Sequence, residues 1–183
     1  MAGLTARQQS RRSRLGSALL LGLLALIAGA AADGCDPSCV HLCDDCTADQ
    51  VLAAMAAAPG ESMVQQNGAH AISTKRPATT FDDKQTQQAI AMVLEAMVRF
   101  PDEVTLQSLS CGAVHALAHH PDGKHSWNNK RALALAGGIA PVSDAIERHR
   151  FGPGSKGVEH YCPGALKAIE EASKELNEQE LEL

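Results

Sequence analysis

The chain has 183 residues, of which 45% are hydrophobic and only 3% aromatic, and its formal net charge at pH 7 is −5. Residues 1–32 hold four basic residues and no acid, so the remainder carries 12 basic against 21 acidic residues, a balance of −9. An acidic body argues against general nucleic-acid binding, which depends on neutralising phosphates. The length allows one folded domain, and the alanine-rich, aromatic-poor composition favours closely packed helices over a sheet.

The amino terminus has the pattern of a targeting segment. Basic residues up to Arg14 precede an apolar run, residues 15–32, which ends in three alanines. This order predicts a secretory signal peptide over residues 1–32, cleaved near Asp33, and hence a protein of the secretory pathway or the extracellular space. An uncleaved membrane anchor stays open, because 18 apolar residues are near the lower limit for spanning a bilayer. The Arg- and Ser-rich composition leaves an organelle transit peptide open as well.

Four cysteines follow this segment within twelve residues, namely Cys35, Cys39, Cys43 and Cys46. Behind a signal peptide they predict two disulfides in an oxidising compartment, within a cysteine-rich cap over residues 33–47. The sequence does not fix their pairing. The same thiols could instead ligate zinc or an iron–sulfur cluster, although their spacing matches no zinc ribbon.

Capping and turn signals divide residues 48–176 into helices. Thr47 and Gln50 have the spacing of a capping box, which predicts a helix over Val51–Ala58. Asp82 or Asp83 is expected to cap the next helix. The further expected helices are Gln85–Met92, Val93–Phe100, Val104–Ala118 and one from Cys162-Pro163 to Leu176, with loops over Ser73–Asp83, His119–Trp127 and Phe151–Gly157 and a fraying acidic tail over residues 177–183.

The pair Gly137-Gly138 predicts a sharp corner between two helices. Only glycine takes the positive-φ conformation that ends a helix at no steric cost, so one of the two is expected to have positive φ. Pro141 suits the first turn of the helix that follows.

Parts of the chain repeat. Val51–Met55 before Pro59 matches Val93–Met97 before Pro101 at an offset of 42, and Gln65 matches Gln107 at the same offset. The segment 142–146 matches Val93–Met97 at an offset of 49, and the segments 113–117 and 165–169 match at an offset of 52. The first copy lacks three residues after Gln65, close to one helical turn. Three copies with this period indicate a helical repeat protein.

The pattern of Asn129, an apolar helix, Gly-Gly-Ile-x-Pro and a later Ala-Leu-x-x-Leu helix resembles the armadillo repeat, over about 120 residues in three copies. The resemblance implies an all-α, short right-handed solenoid that binds another protein along a concave face, without catalysis or cofactor. It also implies that the last helix of each repeat lines that face. The asparagine with which such repeats grip extended peptides is replaced here by Ala71, Ala116 and Ala168, which argues against a clamp on a peptide backbone.

Candidate partner-binding residues follow from the predicted face. Val114, Leu117, Leu166 and Ile169 are expected to turn inward, and the side chains between them, Gln107, His115, Glu159 and Lys167, are expected to face a partner. His115 and His119 lie one helical turn apart and offer an alternative zinc site, although Ala116 stands where a metalloprotease motif has glutamate. No nucleophile or phosphate-binding motif occurs, so no catalytic residue is predicted. Cys111 and Cys162 lie at nearly equivalent repeat positions and are either buried thiols or a disulfide across repeats.

Overall fold

The structure, a computed structural model, describes residues 46–74, 81–121 and 123–181, and within these ranges it contains seven α-helices and no strand. The helices are α1 Ala48–Ala57, α2 Ser62–Thr74, α3 Asp83–Arg99, α4 Val104–Ala118, α5 Gly123–Leu135, α6 Ile139–Arg148 and α7 Ser155–Leu181. The expected all-α class is therefore confirmed for the described ranges. The predicted targeting segment and Cys35, Cys39 and Cys43 lie outside them, and no helix inside them has the length and apolarity needed to cross a membrane.

Two helices begin with the capping boxes that the sequence predicts. The Thr47 hydroxyl accepts a hydrogen bond from the Gln50 N–H, and the Gln50 side chain accepts one from the Thr47 N–H. Asp82 and Gln85 make the same reciprocal pair at the start of α3. Each box satisfies two N–H groups that have no partner within the helix.

The expected break between Met92 and Val93 is wrong, because α3 is one continuous helix of 17 residues. No glycine or proline interrupts it, and buried Ala89, Ile90, Val93, Leu94 and Met97 continue at helical spacing.

Two of the expected loops are shorter than the sequence suggested. Helix α5 begins at Gly123 rather than after Trp127, and its Ser126 and Asn129 donate hydrogen bonds to the Ala118 and Leu117 carbonyls at the end of α4. Ser126 lies in the expected loop His119–Trp127, whereas here both side chains satisfy carbonyls that α4 leaves unpaired.

Helix α7 also extends beyond its expected bounds. It begins at Ser155, passes through Pro163 and reaches Leu181, so the expected start at Cys162-Pro163 and the fraying from Asn177 are both wrong. Pro163 lacks an N–H for the Glu159 carbonyl, but both residues are exposed, so water can satisfy that carbonyl.

The glycine corner is confirmed. Gly137 has φ of 75°, its N–H donates to the Ala134 carbonyl, and the Gly138 N–H donates to the Leu133 carbonyl. This is the Schellman arrangement, in which a left-handed residue lets the chain leave the helix while two terminal carbonyls keep donors.

The first two helical hairpins share one corner chemistry. Pro59 ends the first helix and Pro101 ends the third, so the Met55 and Met97 carbonyls four residues earlier lose their helical N–H partners. Buried Gln65 and Gln107 replace them. Gln65 Nε2 donates to the Met55 and Ala58 carbonyls at 2.9 and 3.0 Å, and Gln107 Nε2 donates to the Met97 and Phe100 carbonyls at 2.9 Å each.

The matching bonds of Gln65 and Gln107 show which residues of the first hairpin correspond to which residues of the second. Helices α2 and α4 begin 42 residues apart, at Ser62 and Val104, and both are continuous. The three-residue shortening inferred after Gln65 is therefore wrong, and at the constant offset of 42 Ser73 lies at the position of His115. We refer to α1–α2 as unit 1, α3–α4 as unit 2 and α5–α7 as unit 3.

The last helices of the three units pack in series. Helix α4 lies against both α2 and α7, and these are the two most extensive helix contacts in the described ranges. A disulfide between Cys111 and Cys162 joins α4 to α7, with Cα atoms 4.9 Å apart and both residues fully buried. The second of the two readings of these cysteines, the disulfide, is thus the one that the structure contains.

Candidate functional site

Small residues allow the three last helices to approach closely. A Cβ placed on Gly112 of α4 would lie 3.6 Å from the Ser73 Cβ of α2 and 3.8 Å from the Tyr161 Cδ2 of α7. A Cβ on Gly164 of α7 would lie 3.0 Å from the His115 Cδ2. Side chains of α2, α4 and α7 therefore meet along one continuous surface above these glycines.

An aromatic cluster occupies the α4–α7 part of this surface. The rings of His115 and His119 stack with centroids 4.1 Å apart, and the Tyr161 ring lies 6.3 Å from that of His115. His160 meets the edge of Tyr161 at 4.6 Å. Together with His70, which lies one turn before Ser73 on α2, these residues form what we call the histidine face: His70, His115, His119, His160 and Tyr161.

The disulfide lies directly below this cluster. Cys162 follows Tyr161 in the chain, and Cys111 precedes Gly112, against which Tyr161 packs. Since the bond holds α4 and α7 together at this level, it positions Tyr161 and His160 beside His115.

The surroundings of His115 disfavour its protonated form. Burial is the largest cause that lowers its pKa below the ordinary value, and repulsion from His119 and His160 lowers it further. His119 also keeps a fixed position, because its Nδ1 lies 2.9 Å from the His115 carbonyl oxygen.

The alternative zinc site at His115 and His119 gains no further ligand. Within residues 46–74, 81–121 and 123–181, no group of three or more His, Cys, Asp or Glu side chains is arranged to hold a metal ion. The alternative that uses Cys35, Cys39, Cys43 and Cys46 stays a prediction, because only Cys46, which is buried, is described.

The candidate partner-binding residues divide in the structure. Lys167 and Glu159 are exposed and His115 is half-buried, all on α4 or α7. The expectation that Gln107 faces a partner is wrong, because Gln107 is only 1% exposed and its amide is committed to the Met97 and Phe100 carbonyls. The expected inward positions Val114, Leu117 and Ile169 are fully buried, and Leu166 is partly buried.

Unit 3 has Glu159 at the position where the other two units have the glutamine of the hydrogen-bonded corner. It matches Gln65 and Gln107 in the repeat, but it has no donor and its carboxylate accepts a hydrogen bond from Ser155 at 2.8 Å. Pro153 lies six residues before Glu159, as Pro59 and Pro101 lie before the two glutamines. A carboxylate has no N–H to donate to a carbonyl, so Glu159 does not perform the task of the glutamines.

Sequence reasoning did not single out His160 and Tyr161. They lie between the expected loop Phe151–Gly157 and the expected helix start at Cys162-Pro163, and the α7 helix is what brings them to the surface beside His115. A usable signal was present, because His160 and Gly164 precede Lys167 at the spacing of one helix face.

A separate, concave region lies between the starts of α3 and α5. It has a volume of about 590 Å³ and is lined by Phe81, Asp82, Asp83, Thr86, His120, Pro121, His125 and Asn129. Its polar groups serve the helix ends, since Asp82 caps α3 and Asn129 holds the Leu117 carbonyl. We therefore regard the surface of α2, α4 and α7 as the stronger candidate site.

Comparison with known proteins gives no match: no protein-family profile, no curated protein and no solved structure is significantly similar to this chain.

Proposed function

We propose that this chain is a short right-handed armadillo-like solenoid that binds another protein without catalysing a reaction. The observation that carries the proposal is the serial packing of α2, α4 and α7, the last helices of three repeated units. Such an arrangement gives repeat proteins an extended binding surface built from equivalent positions. The exposed side chains of this surface include His70, His119, His160 and Lys167.

The repeated corners also support a solenoid. Gln65 and Gln107 perform the same task 42 residues apart, which indicates two copies of one structural unit rather than two unrelated hairpins. Unit 3 consists of three helices, as an armadillo repeat does, with the glycine corner between α5 and α6.

The proposed location is the secretory pathway or the extracellular space. The buried disulfide between Cys111 and Cys162 is compatible with an oxidising compartment, where disulfides form and persist. Residues 1–32 have the order of a secretory signal peptide.

Site-specific photo-crosslinking tests the binding surface. A photoreactive amino acid replaces Lys167 on α7 in one protein and the exposed Gln88 on α3 in a matched control. Incubation with proteins of the native compartment should give a discrete crosslinked species from position 167 and none from position 88. Equal labelling from both positions, or labelling from position 88 alone, would contradict the proposed surface.

Alanine substitution then tests which side chains of this surface contribute to partner binding. Lys167→Ala should weaken formation of the crosslink placed at position 160 while changing unfolding free energy by about 0.5 kcal/mol or less, because Lys167 is exposed. His115 is half-buried and packs over Gly164. For that residue His115→Gln is the better test, since it retains much of the side-chain volume.

A further inference from the structure

Helices α2 and α4 are unusual for an acidic protein, because neither contains an Asp, Glu, Lys or Arg. Their ionisable side chains are His70 and His115, and His119 directly follows α4. The charge on this part of the surface is therefore set by imidazoles.

Helix α7 completes the charge pattern. Beside the α4 histidines it contributes His160, Tyr161 and Lys167. Three of its carboxylates have partners: Glu159 accepts a hydrogen bond from Ser155, Glu171 lies 3.4 Å from Lys130 of α5, and Glu178 lies 3.8 Å from Lys174.

Other helices that pack against α4 hold charges in local pairs. Arg99 of α3 bonds Glu95 of the same helix, and Arg148 of α6 bonds Asp144 and Asp102. The two remaining histidines near the end of α4, His120 and His125, lie in the cleft between α3 and α5, where His125 Nε2 is 3.8 Å from Asp83 Oδ1. The potential cations of the surface that α2, α4 and α7 share thus include four of the chain's eight histidines, together with Lys156 and Lys167 of α7.

We propose that the histidine face, with Lys167, binds an acidic peptide segment of a partner protein, and that this binding strengthens as the pH falls from neutral to mildly acidic. The proposal rests on the function proposed above and specifies the chemistry of the partner. It follows from the geometry, since His115, His119 and His160 lie close together with no carboxylate of α2 or α4 among them.

The physical reason is mutual repulsion within the cluster. Positive charge on His119 or His160 disfavours protonation of His115, so this ring resists charging while the face is unoccupied. Carboxylates of a bound peptide would offset this repulsion and form charge-assisted hydrogen bonds to the protonated rings. Peptide binding and proton uptake are then linked, so each strengthens the other.

The test measures binding of a synthetic oligoglutamate peptide by fluorescence anisotropy at fixed ionic strength, at about pH 7.5 and about pH 5.5, which lie on either side of the ordinary imidazole pKa. The affinity should rise roughly tenfold on acidification, as expected for two or three exposed ion pairs. An oligoglutamine peptide of equal length should show no such rise.

Two double variants distinguish the effect of protonating the histidine face from the effect of the general loss of negative charge at acidic pH. His115→Gln with His160→Gln should abolish most of the rise. His120→Gln with His125→Gln, which removes two histidines from the other cleft, should retain it. Circular dichroism at both pH values checks that each variant stays folded.

The possible outcomes are distinguishable. An affinity that does not change with pH, or a rise that survives the His115 and His160 substitutions, overturns the inference. Binding to phosphatidylserine vesicles with no binding to the peptide also overturns it, because the ligand would then be a membrane surface. If crosslinking from position 167 still yields a discrete partner, the proposed protein-binding function stands while the acidic chemistry of that partner is rejected.

Discussion

Replacing Gln107 by methionine tests the hydrogen-bonded corner on which the repeat register depends. Methionine retains the length of the side chain but removes both donors to the Met97 and Phe100 carbonyls, each 2.9 Å from Nε2. Phe100 O keeps a second partner, the Glu103 N–H. Met97 O loses its side-chain donor, and its helical partner is already absent because Pro101 has no N–H.

The magnitude follows from these two bonds. Each neutral hydrogen bond contributes about 1 kcal/mol net, and a buried carbonyl without a partner costs about 1–3 kcal/mol. We therefore expect Gln107→Met to lower the free energy of unfolding by about 2–4 kcal/mol. Gln65→Met should fall in the same range, because Gln65 makes the equivalent pair of bonds.

Urea denaturation followed by far-UV circular dichroism measures this loss. Glu159→Gln is the matched control: the residue occupies the same repeat position but is exposed, so its change should stay within about 0.5 kcal/mol. A loss below about 1 kcal/mol for Gln107→Met would show that water reaches the Met97 carbonyl and that the glutamine does not close the corner.

Three further predictions concern single features. Gly137→Val should lower stability by more than about 1 kcal/mol, measured by the same denaturation, because φ of 75° disfavours a β-branched residue. Replacing Cys111 and Cys162 by alanine should lower stability by about 4 kcal/mol on the chain-entropy estimate for a loop of 51 residues, and an unchanged denaturation midpoint would contradict that role. The pKa of His115 is lowered in the folded chain, so the unfolded chain binds more protons, and stability should decline as the pH falls through and below the ordinary histidine range. Titration of the His115 ring by NMR should show a pKa below the ordinary histidine value, and that pKa should rise in His160→Gln.

Local signals in the sequence predicted the ends of helices well. The capping boxes at Thr47 and Asp82 and the corner at Gly137 each depend on three or four adjacent residues. The inward positions Val114 and Leu117 follow from helical periodicity alone.

The errors concern features that depend on more distant partners. Gln107 is polar, and its burial is decided by a carbonyl ten residues away in another helix. The spacing from Pro59 to Gln65 equals that from Pro101 to Gln107, which was a readable sign of the shared corner. Pro163 suggested a helix start, but an exposed proline within a long helix is tolerated when water reaches the carbonyl it leaves unpaired.

The histidine face was only partly predictable for the same reason. His115 and His119 are visible as a pair at helical spacing, whereas His160 and Tyr161 join them through the packing of α7 on α4. The sequence has no local mark of that contact except the glycines that permit it, Gly112 and Gly164.

The disulfide between units 2 and 3 has a consequence for cooperativity. In repeat proteins, the class proposed for this chain, each unit contacts only its neighbours, so a terminal unit can unfold while the others stay folded. Here Cys162 ties the first part of α7 to the centre of α4, so unit 3 cannot separate from unit 2 while the bond is intact. Local unfolding of the carboxyl-terminal unit is then confined to α5, α6 and the part of α7 beyond Cys162. The surface around Tyr161 stays folded during that local unfolding. Reduction would remove this restraint and let the end of the chain unfold as an independent unit.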